Sequence, residues 1–253
     1  MTRAPLAGLL WVVVGSACIA GYPLLFYASL TFGSIATCTV VSLGSAPVFA
    51  ALVERTLDGK RLSLPWLAGT IVAIIGVALL AFGSSRSAEA PATNLPVAIA
   101  LATAAGLAYT FQAYSSRRLM ALGASPTAAM GALFGGGSII LVPLMFALGA
   151  PLVMSWNAFA VGLYFALLPV CAAYILYAKG LRLVPASLAT TFSLSDPAVA
   201  AILAVLVLGE RITAAGWIGI AVVAGGILLA SLRTTAAGVR PRPARVASAD
   251  TAR

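Results

Sequence analysis

Histidine is missing from this chain altogether, charged residues make up only 8% of its 253 positions, and cysteine occurs three times. The first absence excludes a Ser-His hydrolase and a histidine-built metal site, and neither a metal nor a cofactor is expected. The second is incompatible with a soluble domain, in which about a quarter of residues are charged. Cys18, Cys38 and Cys171 all fall in apolar stretches, so a disulfide framework is not expected either. Nor is there a G-x-x-x-x-G-K-[ST] phosphate loop, which removes transport driven by ATP bound to this chain.

What is present is apolar: 62% of the residues are hydrophobic and the mean hydropathy is +1.07. Runs of roughly 20 residues, the length that crosses a hydrocarbon core of about 30 Å as a helix, fall at 6–28, 33–54, 65–83, 96–114, 126–148, 156–178, 186–208 and 213–232. The expected fold is an all-α membrane protein with eight transmembrane helices. The first run is too long, and lacks the small-residue cleavage site, to be a secretory signal peptide.

The net charge of +9 is understood from its placement. With the N-terminus in the cytoplasm, Arg3, Arg55, Lys60, Arg61, Arg117, Arg118, Lys179, Arg182, Arg233, Arg240, Arg242, Arg245 and Arg253 lie inside, and only Arg86 and Arg211 outside. This is a positive-inside pattern rather than a nucleic-acid footprint. It predicts a multi-pass protein of the plasma membrane with both termini cytoplasmic. Trp11, Trp66, Trp156 and Trp217, near span starts, read as interfacial anchors.

Laying Ser45 on Ser195 brings Tyr27-Ala28 onto Tyr177-Ala178 and Pro47 onto Pro197 without a gap. In the same register Gly59-x-Arg61 falls on Gly209-x-Arg211, and Gly69 and Gly76 on Gly219 and Gly226. The chain contains a duplication. Its copies are five spans apart, an odd number, so matched helices cross the membrane in opposite directions and the repeat is inverted. The first five-helix unit is incomplete, with three helices in 1–83 against five in 95–233, and two helices' worth of sequence has no counterpart. A polar linker, 84–94, joins the units, and 234–253 reads as a disordered basic cytoplasmic tail.

At one matched position the copies differ sharply: Ala46-Pro47 in the first, Asp196-Pro197 in the second. An acid in mid-span costs about 2.5–3.5 kcal/mol on insertion scales, so Asp196 should face a cavity or a partner. Burial disfavours its charged form, which suits a proton carrier. The structural alternative is that Pro197 leaves the Ser193 carbonyl without a donor and a protonated Asp196 supplies one. Ala46-Pro47 speaks against it, on the expectation that this pair makes the same bend with no acid.

Thr191, Ser193 and Ser195 surround Asp196, and Ser42 and Ser45 have equivalent spacing in the first copy. These hydroxyls either line a polar cavity or bond their own backbone. Tyr109 and Gln112 share a face of the fourth span; Tyr164 and Tyr174 are further polar groups on the sixth, where Tyr177 reads as a belt residue. Glu210-Arg211 after Gly209 reads as a charged helix cap, and Lys179 as a cation at an inner helix end.

The stretch Tyr177-Ala-Lys-Gly-Leu-Arg-Leu-Val-Pro-Ala-Ser-Leu-Ala, with Asp196-Pro-Ala-Val-Ala-Ala and Leu208-Gly-Glu-Arg-Ile, resembles the EamA-type drug/metabolite transporter superfamily. So does Pro47-Val-Phe-Ala-Ala-Leu, and the likeness covers about 6–232. The resemblance implies two inverted five-helix repeats, a central cavity, alternating access, and export of small metabolites or drugs without ATP. It places Asp196 where the family often has Glu before the proline. In two respects the chain departs from it: Asp58-Gly59-Lys60 replaces Leu-Gly-Glu, read as an exchanged cap, and the first two helices are missing.

The function expected is therefore a secondary active exporter of small organic metabolites or drugs, with proton coupling through Asp196, and not an enzyme. A small-molecule substrate and membrane lipids are its expected partners, a homodimer is an option, and nucleic acid is excluded. Two other readings stay open on the sequence: a non-transporting truncated fragment or scaffold, and a membrane-embedded enzyme acting on lipid. The last needs clustered acids or a His/Asp pair, and the sequence offers neither.

Overall fold

The computed structural model describes residues 3–59, 63–84, 93–149, 155–209 and 212–232. Most of the 84–94 linker, the Glu210-Arg211 cap, and the 234–253 tail lie outside the described residues. Five helices come first: α1 (Arg3–Leu30), α2 (Ile35–Asp58), α3 (Leu64–Ser84), α4 (Leu95–Ala121) and α5 (Pro126–Leu148). The sixth span is composite, α6 (Trp156–Phe165), a π segment (Ala166–Ala172) and α7 (Ala173–Leu181). So is the seventh, α8 (Ala186–Phe192), a 3-10 turn (Ser193–Ser195) and α9 (Asp196–Leu208), and α10 (Ala214–Ser231) is last. Eight helical spans are long and apolar enough to cross a membrane, and no strand occurs among the described residues.

Local chemistry sets the ends. Ser34, Asn94, Ser125, Ser155 and Thr213 each accept a hydrogen bond from the backbone N–H three residues on, capping α2, α4, α5, α6 and α10. Gly59 and Gly209, matched in the repeat, both adopt the left-handed conformation, with φ 65° and 68°. Each stops its helix and returns its N–H to a carbonyl of the last turn.

The duplication is visible in the packing of α3 on α10, which run antiparallel. A Cβ added to Gly69 would meet the backbone of Gly226 and Ala230; one added to Gly219 would meet the backbone of Gly76 and Leu80. Exchanging the copies converts the first contact into the second, the signature of an internal two-fold axis. Small residues permit this approach where lipid provides no hydrophobic drive between helices.

A second packing centre joins α1, α4 and α5. A Cβ on Gly15 would meet Ser115 and Leu133, one on Gly136 would meet Ser16, and Ile19, Leu119, Ala129 and Leu133 form the core between them. α2 then lies along α4, Gly106 sitting against Ser42 and Ser45.

Trp66 corrects the sequence reading. It is 5% exposed and packs with Ala51, Leu188 and Ala230, because α2, α8 and α10 converge over the start of α3. It is a core residue and not an interfacial anchor.

Candidate functional site

Pro197 has no N–H, so the Ser193 carbonyl loses its helical donor. The backbone N–H of Asp196 donates to that carbonyl instead, tightening Ser193–Ser195 into the 3-10 turn. The distortion is thus satisfied by main chain, and the Asp196 carboxyl is not needed for it. The expectation that Ala46-Pro47 makes the same interruption is corrected: Pro47 lies inside α2, which is unbroken from Ile35 to Asp58. α4 packs along this stretch of α2, although the carbonyl that Pro47 leaves without a helical donor is that of Leu43. The Thr110 hydroxyl lies 2.8 Å from the Ala46 carbonyl, and Gly106 backs Ser42 and Ser45, whereas Val199, Leu203 and Leu206 of α9 are exposed.

At the break Asp196 is exposed, and its carboxyl makes no hydrogen bond or ion pair among the described residues. It lies within electrostatic reach of Tyr22 on α1 and Tyr177 on α7. The Tyr109 hydroxyl is 2.7 Å from Ser193 Oγ, and its ring is 5.4 Å from that of Tyr22 and 6.4 Å from that of Tyr177. Tyr174 packs edge-on to Tyr177 at 6.2 Å and to Phe134 at 4.7 Å. Tyr22 and Tyr177 thus lie within electrostatic reach of one unbonded carboxyl, with Tyr109 packed against both of them and Tyr174 against Tyr177. Aromatic faces, hydroxyls and a carboxylate are the groups that hold an organic solute carrying positive charge or hydrogen-bond donors.

A separate polar cluster lies where α2 and α4 end. Glu54, 3% exposed, accepts the Ala186 N–H at 2.9 Å on Oε1 and the Ser187 hydroxyl at 2.7 Å on Oε2. Arg117 Nη1 stands 3.7 Å from Oε1 and donates to the Val184 carbonyl at 2.6 Å. One turn along, Asp58 takes Arg118 Nη2 at 2.7 Å and the Tyr114 hydroxyl at 2.9 Å. The Arg118 guanidinium lies 5.1 Å from the Tyr114 ring, and Trp11 packs edge-on to that ring at 5.3 Å. Asp58 is thus a paired residue beside the Gly59 cap, and Lys60 lies outside the described residues. Hydrogen bonds to a charged group contribute about 1.5–3 kcal/mol each, and stripping one partner from a buried ion pair costs about 3–5 kcal/mol.

Sequence reasoning missed Glu54 because it sat at the edge of the 33–54 run beside Arg55. The rule that an acid within a span needs a partner, which singled out Asp196, finds Glu54 once α2 is extended to Asp58.

Of the other candidates, Tyr109 and Ser193 meet at the break, and Tyr174 joins Tyr109 through Tyr177. Ser45 and Ser195, matched in the repeat, each bond the carbonyl three residues back, at 3.1 and 2.7 Å. Ser42 is buried against α4, and its hydroxyl has no partner among the described residues. Thr191 turns toward α3, 3.2 Å from the Thr70 hydroxyl, and bonds the Ser187 carbonyl. Gln112 is 2% exposed, with its amide nitrogen unpartnered among the described residues. Tyr164 is 55% exposed on α6, whose contacts among the described residues are with the π segment that follows it. Tyr177, read as a belt residue, turns its hydroxyl inward; Tyr22 was not anticipated.

Comparison with known proteins agrees with this architecture. The model of the EamA-like transporter family matches residues 96–232. The uncharacterized transporter YwfM of Bacillus subtilis is 34% identical over 221 residues, 87% of this chain and 72% of that protein. The uncharacterized inner membrane transporter YicL of Salmonella typhimurium is 27% identical over 228 residues, 88% of this chain and 72% of that protein. A solved crystal structure superposes with a TM-score of 0.73 at 21% identity, over 89% of this chain and 77% of that one, a likeness of fold alone. The chain belongs to the EamA-like transporter family and is a multi-pass integral membrane protein.

Proposed function

We propose that this member of the EamA-like transporter family is a secondary active exporter of small organic metabolites or drugs, in which solute and proton exchange at Asp196 by alternating access. The observation that carries the reading is the unbonded carboxyl at a helix break whose backbone is already satisfied. A carboxyl without a structural task is costly within a span, and this one lies within electrostatic reach of Tyr22 on α1 and Tyr177 on α7.

Packing of the copies supports the same reading. α2 lies on α8 and makes no comparable contact with α9 among the described residues. α2 and the seventh span therefore meet at the end that carries Arg117 and Arg118 and separate toward the other, while α3 and α10 stay packed along their length, as in one state of an inverted-repeat carrier. In this reading the chain lies in the plasma membrane, the arginine end faces the cytoplasm with both termini, and the solute and surrounding lipid are its partners. A homodimer is compatible with it.

The test is proton-driven solute flux in proteoliposomes, with solutes found by a metabolite-efflux screen. Asp196→Asn is expected to lower flux at least about tenfold while the protein stays folded, and Asp196→Glu to retain part of it. Unchanged proton-coupled flux in Asp196→Asn would remove the acid from the mechanism.

A further inference from the structure

The contact between the copies at the arginine end is bonded, and its symmetry mate is not. Glu54 reaches from α2 to Ala186 and Ser187 at the start of α8, while Arg117 joins it and the Val184 carbonyl just before that helix. In the repeat register Glu54 matches Ala204 and Asp58 matches Leu208. When the copies exchange roles and the opposite end closes, no carboxylate stands at the corresponding place.

We propose that Glu54 is the latch of the gate at the arginine end, a positioning residue that holds α8 on α2 and must release Ala186 and Ser187 each time that end opens. The proposal rests on the alternating-access reading above. α8 runs directly into the 3-10 turn and Asp196, so the latch and the carboxyl are about 15 Å apart at 1.5 Å per helical residue, on one short continuous segment. Opening at Glu54 swings the segment that bears both Ser193 and Asp196. Asp58 differs: the pairing described for it, with Arg118 and Tyr114, joins α2 to α4.

The experiment measures the α2–α8 separation by pulsed electron spin resonance on the full chain in lipid nanodiscs. Spin labels are placed at Arg55 and Leu183, both exposed, with Cys18, Cys38 and Cys171 replaced by alanine. The otherwise native chain is expected to give mainly the short separation. Glu54→Gln and Ser187→Ala should each raise the long-separation population about tenfold, the scale of one lost charge-assisted hydrogen bond. Asp58→Asn should leave the distribution unchanged.

A residue that merely stabilises the fold would lower the melting temperature without moving these populations. Native distributions in both Glu54→Gln and Ser187→Ala would overturn the latch; should Glu54→Gln fail to assemble, Ser187→Ala, which keeps the carboxylate, decides alone. Absence of solute flux in the native chain under any gradient would sink the transport reading instead, and the distances would still settle the latch.

Discussion

α2 and the seventh span are matched copies that run in opposite directions, yet they keep their acids at opposite places. α2 continues through Pro47 with Ala46 only 1% exposed, and carries Glu54 and Asp58 toward its end. The seventh span breaks ahead of Asp196 and has Ala204 and Leu208 where those acids would fall. The difference shows that a proline does not fix the shape of a membrane helix by itself. Where α4 lies alongside, the helix stays regular through its proline. Where that backing is absent, the freed carbonyl is re-satisfied by a tighter turn. The acid then follows the shape: the seventh span has it where it separates from α2, and α2 has it where the two meet.

Where the copies agree, matched substitutions should fail alike, and the strongest case is the α3–α10 contact. Gly69→Val and Gly219→Val each drive a Cβ under 3.0 Å from backbone of the opposite helix, which no side-chain rearrangement relieves. Both are expected to abolish monodisperse protein in detergent gel filtration. Normal assembly of either variant would break the internal two-fold from which the comparison starts.

Where the copies differ, matched substitutions should part. Ala46→Asp puts a carboxyl at a 1% exposed position against Gly106 and Thr110, at a cost of about 3 kcal/mol or more. A clear drop in melting temperature is expected. The exchanged pair Ala46→Asp with Asp196→Ala should not recover the flux lost with Asp196, because the new acid is sealed inside an unbroken helix. Recovery of flux by the exchange would mean that either copy can present the carboxyl, and that the break is not what selects its place.

The spans and the duplication were legible in the sequence because hydropathy and matched glycines and prolines are written in order along the chain. The site was legible only in part, because its residues are chosen by what covers them. Tyr27 and Tyr177 occupy the same repeat position, but Tyr27 is 67% exposed whereas the Tyr177 hydroxyl is buried beside Tyr109. Thr191 and Ser193 are two residues apart, which turns them to different faces of one helix; the first meets Thr70 and the second Tyr109. Asp196 could be found from the sequence because an acid in an apolar run stands out whatever surrounds it. The partners of Glu54 could not, since Ala186 and Ser187 reach it only through the tertiary fold.

The smallest expected effect tests the reading of the paired serines. Ser45 and Ser195 lie one residue before Ala46 and Asp196, so proximity alone would place Ser195 in the solute path. Both hydroxyls instead bond the carbonyl three residues back, Ser42 and Phe192 respectively, a local arrangement that a helix can lose with little consequence. Ser45→Ala and Ser195→Ala should therefore each alter stability by no more than about 0.5 kcal/mol and leave solute flux within about twofold, measured side by side in the same proteoliposomes. A selective loss of flux in Ser195→Ala, with Ser45→Ala neutral, would add Ser195 to the site. It would also sharpen the contrast between the copies, because identical residues with identical backbone bonds would then be distinguished solely by the break that follows one of them.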